Sequence, residues 1–188
     1  MTTAAHKPTH RFAFPRPHAG AATAVTQATA ARYVFALARI SLGWVFLWAF
    51  IDKMWGLGHE TTSKQAWING GHPTKGFLKM AAAGPLKSFY NGFAGATWAD
   101  YLFMIGLAGI GIALILGIGM RIAAASGVVL LVMMWSAVLP PANNVFMDDH
   151  LIYALLLAGL ALTAAGDTLG IGRWWGDTAL VRRFPILK

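Results

Sequence analysis

The stretch FALARISLGWVFLWAFIDKMWG, residues 35–56, decides the reading of the whole chain. It has the apolarity and length of a membrane-spanning helix, for which a bilayer core requires roughly 20 residues. Yet Arg39 lies inside it, and Asp52 and Lys53 close it. Arg39, Gly43, Phe46, Phe50 and Lys53 recur at helical spacing and share one face, which includes a small residue suited to close packing. Ionisable groups within a span usually face the protein interior, so Arg39 is expected inside a helix bundle, about 9 Å past the nearer boundary at ~1.5 Å per residue. The plainer alternative is a snorkelling guanidinium with its stem in lipid and its head in water. Asp52 is expected among the headgroups, beside Trp48 and Trp55.

Three further apolar runs follow, Tyr101 to Ile118, Ile122 to Leu139 and a shorter one from Leu151 to Ala165. With 57% hydrophobic and 12% charged residues among 188, and a mean hydropathy of +0.56, the composition excludes an ordinary soluble domain. The runs are continuous rather than alternating, which favours helices over a barrel because each helix pairs its own backbone polar groups. The fold class is therefore all-α, a polytopic membrane protein built as a four-helix transmembrane bundle. The last run is short for a span and needs its flanks or a tilt. Gly109, Ala113 and Gly117 form a small-residue stripe that lets helices approach closely, within one chain or between copies in a homo-oligomer.

Four spans bring both termini to one side. That side carries nine basic residues against Asp167 and Asp177, a net +7, whereas the other has five lysines against five acids. The positive-inside asymmetry puts both termini in the cytoplasm of a cell-membrane protein. Anionic lipid headgroups account for the basic charge, and no nucleic-acid partner is implied. Residues 1–30, rich in Ala, Thr, Pro and His, lack a signal-peptide core and read as a flexible basic cytoplasmic tail ahead of a membrane domain over 31–188. The absence of cysteine excludes thiol nucleophiles, thiolate-held metals and covalently attached c-type haem.

Residues 56–99 form the one long extramembrane segment. In GFLKMAAAGPLKSFYNGFAG, Phe77, Met80 and Ala81 share a helical face with lysines nearby, a pattern for short helices lying on a membrane surface. A helical cap over the outer end of the bundle is expected. Under or within it the connectivity collects Asp52, Lys53, His59, Glu60, His72, Asp148, Asp149 and His150, a cluster of titratable groups beside an apolar cavity. Asp148 and Asp149 are also in place to cap the fourth helix and complement its dipole. No histidine pair at i, i+3 or i+4 marks a metal site, leaving Asp149 with His150 as the only ligand pair to consider, and no metal is assigned. No haem, flavin or iron–sulfur motif occurs. Trp55, Trp98 and Trp135 map to the outer boundary, Trp174 and Trp175 to the inner one, and Trp67 inside the cap is either core or the wall of a ligand site.

The motifs RISLGWVFLWAFIDKMWG, LGIGMRIAAASG and DDHLIYALLLAGLALTAAGDTLGIGRWW resemble the DoxX family, which includes the small DoxD-type subunit of thiosulfate:quinone oxidoreductase. The resemblance covers about residues 33–188. It implies a four-helix membrane bundle and quinone-linked oxidation of small sulfur compounds, with Arg39, Lys53, Arg121 and Asp167 at family motif positions. Where relatives often carry a glutamate early in the second span, this chain has Met104 nearby and no acid, and nothing resembles the second, DoxA-type subunit. The expected site then binds quinone through Arg39, Lys53, Trp67, His72 and Lys75, with Asp148, Asp149 and His150 handling protons. The rival expectations are a non-catalytic scaffold that recruits a soluble redox partner or second subunit, and a protein that transports small molecules or lipids.

Overall fold

The computed structural model describes residues 19–188, all helix, turn and loop with no strand among the described residues. Helix α1, Ala19–Trp55, begins well before residue 31. The expected tail therefore has residues 19–30 in helix, as their alanine content favours, and its residues 1–18 lie outside the described residues. The cap carries two short helices, α2 (Pro73–Gly76) and α3 (Lys87–Gly92), with a π-helical stretch, Phe77–Ala81, between them. Helices α4 (Thr97–Leu116), α5 (Met120–Ala137) and α6 (Asp149–Leu162) follow. Two short helices, α7 (Gly172–Gly176) and α8 (Ala179–Arg183), close the chain.

Helices α1, α4, α5 and α6 pack around one core of Leu42, Phe46, Met104, Leu107, Leu114, Leu131, Leu157 and Leu160. Three of them, α1, α4 and α5, are long and apolar enough to cross a membrane, which fits a membrane protein in contact with lipid. The expected fourth span is only partly helical. At 14 residues, α6 reaches about 21 Å, short of the ~30 Å hydrocarbon core. The chain continues through residues 163–171, with one 3-10 turn at Ala165–Asp167, and the end of this segment is fastened to α4 by the Ile171 N–H donating to the Leu116 carbonyl at 2.9 Å.

The close helix–helix approaches are made at Gly43, Gly111 and Gly127, while Gly117 of the small-residue stripe meets the backbone at Gly166. Gly109 faces open space, while a Cβ at Gly43 would lie 2.9 Å from Leu114 Cβ and one at Gly111 would lie 2.8 Å from the Leu47 nitrogen. Gly43 and Gly111 are thus the contact between α1 and α4. Gly127 does the same for α5 against Leu157 of α6. Adding bulk where backbones touch forces the helices apart. Gly43→Leu is expected to lower stability by roughly 1–3 kcal/mol and Gly109→Leu to leave it nearly unchanged; equal thermal shifts of the two purified variants would contradict this packing.

The end of the bundle away from the cap is organised by Arg39. It is fully buried, and its Nη1 donates to the carbonyls of Leu114 and Ile115, the latter at 3.0 Å. Those carbonyls belong to the last turn of α4, where no intrahelical donor remains. Nη2 donates to the Thr168 and Leu169 carbonyls at 3.2 and 2.9 Å, in the loop that continues α6. One planar guanidinium therefore joins three elements. Glycines 117, 170 and 172 make room, since a Cβ at any of them would fall within 3.0 Å of backbone or of the guanidinium. Arg39 is interior, as its helical face predicts.

Candidate functional site at the cap end

Two buried carboxylates fasten the cap to the bundle. Asp52, in the last turn of α1, is 2% exposed and accepts backbone N–H bonds from His59, Glu60 and Thr61 at 3.3, 3.0 and 2.8 Å. It is a loop clasp and not a headgroup anchor. The α1 helix ends at Trp55 and the chain turns back at once, so a carboxylate three residues earlier meets the returning N–H groups. Asp100, in the first turn of α4 and equally buried, accepts from the Thr74 N–H at 2.9 Å, the Thr74 hydroxyl at 2.6 Å and faces His72 Nδ1 at 2.8 Å. Asp100 did not stand out by sequence motif. The signal available was only an acid directly ahead of an apolar run, in the first turn of its helix.

The triplet at the start of α6 is compact. Asp148 is the N-cap, accepting from the Leu151 N–H at 3.1 Å through one oxygen and facing His150 Nδ1 at 2.7 Å through the other. Asp149 approaches the same nitrogen at 3.5 Å, and the three potential ligand atoms lie within 4.8 Å of one another. His150 is largely covered, whereas Asp149 is exposed. His72 and His150 thus share one arrangement, with Nδ1 held by a carboxylate and Nε2 left without a hydrogen bond among the described residues. Such pairing fixes the ring and directs Nε2 outward for donation or proton exchange.

Segment 72–77 joins the two imidazoles. His72 starts it, and the Phe77 ring at its end packs edge-on to His150 with centroids 6.0 Å apart. Thr74 and Phe77 also line an apolar cavity of about 470 Å³ between α4 and α5, roofed by Leu78, Tyr90 and Phe93 of the cap. The roof is tied to the end of α5 by a 2.6 Å Tyr90–Ser136 hydroxyl pair and by the Ala83 N–H to the Ala137 carbonyl at 2.8 Å. The volume falls within the ~300–1,000 Å³ of ligand pockets.

The remaining expected site residues are placed apart from this centre. Lys53 pairs with the exposed Glu60 at 3.1 Å. Trp67 packs edge-on to Tyr101 at 4.9 Å and against the core, outside the cavity wall. Lys75 is exposed on α2. Arg39 stands fourteen residues before Lys53 on one helix, about 21 Å along its axis, with both terminal nitrogens engaged, so it belongs to a different place from the cap-end groups. Compared with known proteins, the chain matches no family model, no curated protein and no solved structure.

Proposed function

We propose that the chain is a membrane subunit of a quinone-linked oxidoreductase acting on small sulfur compounds, with both termini cytoplasmic and the quinone ring bound at the cap end. The observation that carries this reading is the pair of carboxylate-held imidazoles, His72 with Asp100 and His150 with Asp148, linked by a six-residue segment whose Phe77 ring also walls an apolar cavity. A quinone reduced by two electrons takes up two protons at its oxygens, and the donor of those electrons would be a redox partner subunit, since this chain has no cysteine and no flavin, iron–sulfur or haem motif. With Nδ1–H held by a carboxylate, Nε2 accepts a proton when the imidazole is neutral and donates to a ring carbonyl when the imidazole is protonated, which suits that chemistry.

Solvent extraction of the purified protein should yield bound quinone, and titration with a quinone analogue should give a weaker affinity for His150→Ala by about tenfold or more, the loss of one positioned hydrogen bond worth about 1–3 kcal/mol. Lys53→Met, whose ammonium is engaged by Glu60, should bind nearly as the wild type does. No quinone in the extract together with unchanged titrations in folded variants would overturn the reading.

A second reading, a non-catalytic scaffold for a redox complex, is favoured by one specific observation. Asp52, Asp100 and Asp148 are all spent on holding backbone or side chains of this same chain. Copurification of a stoichiometric protein partner without quinone would support it.

A further inference from the structure

The cavity between α4 and α5 differs in character from the histidine pairs beside it. Its wall carries no charged side chain. Its hydroxyls are already engaged: Thr74 donates to Asp100 and accepts from the Gly95 N–H at 3.1 Å, Ser126 donates to the Ile122 carbonyl at 2.8 Å, and Tyr90 is paired with Ser136. A polar or charged ligand placed there would lose its water without gaining partners, a cost of a few kcal/mol for each unpaired group. Hydrocarbon strands no polar group on entry and gains close packing against the wall.

The position of the cavity says where the hydrocarbon comes from. It extends from Thr74 under the cap down to Ile110 and Ala125 along two helices that are each long and apolar enough to cross a membrane. Several wall residues are exposed on the flank of the bundle, Trp98 by 60%, Leu102 by 67% and Val129 by 60%, so the cavity opens sideways between the helices, toward the side that lipid would occupy. At the cap the same residues serve cavity and histidine pairs, Thr74 through Asp100 and Phe77 through His150. Neither imidazole lines the cavity, but Thr74 and Phe77 do, so a ligand whose tail fills it would reach toward the histidines at the cap.

We propose that the α4–α5 cavity is a tail site for a neutral single-chain lipid, the hydrocarbon chain of the quinone lying between α4 and α5 while its ring meets the imidazoles at the cap. This rests on the quinone reading above and adds the means by which the ligand is selected, its chain.

The test compares two quinones with the same ring, one bearing a ten-carbon chain and one bearing only methyl groups, titrated against purified wild type and Ala125→Phe at equal detergent concentration. Ala125 is exposed on α5 and lines the cavity, so a phenyl ring there takes up cavity space without entering the core. A control lipid, a photoactivatable phospholipid in the same micelles, reports an acyl chain as the occupant. Expected is at least tenfold tighter binding of the tailed quinone by wild type, with that advantage lost in Ala125→Phe and the methyl quinone bound equally by both. Equal affinity for both quinones overturns the tail site and leaves the quinone reading standing. Binding of neither overturns both. Crosslinking of the phospholipid to the cavity wall, undisplaced by the tailed quinone, overturns the tail site in favour of a structural lipid.

Discussion

Arg39→Leu is expected to cost at least about 3 kcal/mol of stability and to collapse the yield of folded protein, because the substitution strips donors from four backbone carbonyls at once. Two of these end α4, and two belong to the loop that completes α6. Each unpaired buried carbonyl costs about 1–3 kcal/mol. Leucine recovers part of that sum by removing a charge that was expensive to bury, so the net loss is smaller than four carbonyls alone would give. Beyond Arg39 the loop is held by the Ile171 N–H on the Leu116 carbonyl and by the Lys188–Asp167 pair at 3.8 Å. Ala164 and Leu169 both sit at positive φ, 50° and 51°, a left-handed conformation that costs a non-glycine residue roughly 1–2 kcal/mol. Arg39→Lys should fall between the two, since a single ammonium lacks the fork that reaches α4 and the loop together. Thermal stability in detergent and amide exchange of residues 163–171 are the readouts. Wild-type behaviour of Arg39→Leu in both would mean that the guanidinium does not hold this junction.

The interior position of Arg39 was legible because it is a property of one helix: its spacing from Gly43, Phe46 and Phe50 puts it on the face that packs. Its partners were not legible. They are main-chain carbonyls 75 to 130 residues away, and no side-chain pattern marks a carbonyl that has lost its helical donor. The same division runs through the rest of the molecule. Long apolar helices follow from composition, and Asp148 as a cap follows from its place before Leu151. Of the small-residue stripe, Gly117 closely meets the Gly166 backbone whereas Gly109 faces open space within the chain; Gly109 and Gly111 lie two apart on one helix, and sequence alone does not say which of them meets α1. The cavity is a gap between α4 and α5, set by how the cap braces their ends, and is written in no single segment. Asp52 reads as a boundary charge and Asp100 carries no motif, because their acceptor roles depend on loops that fold back onto them.

The second large effect concerns Asp100. Asp100→Ala is expected to destabilise the protein by about 2–3 kcal/mol, leaving the Thr74 N–H and hydroxyl without their acceptor in a site where Thr74 is 6% exposed. The damage should be local at first. Asp52 still holds residues 59–61 to the end of α1, while segment 72–77 loses its only carboxylate clasp among the described residues, so amide exchange should quicken from His72 through the cavity roof and remain slow in α1 and α5. Asn keeps one carbonyl oxygen for Thr74 and forfeits the charge facing His72, which places Asp100→Asn between the wild type and the alanine variant. Ligand binding separates this role from a merely global one. Loosening Thr74 and Phe77 removes both the upper wall of the cavity and the brace against His150, so the tailed quinone should bind more weakly even under conditions where the variant remains fully folded. Uniformly faster exchange across all four bundle helices, with the segment from His72 to Phe77 no more affected than α5, would show that Asp100 supports the bundle as a whole and that the cap is held by other contacts.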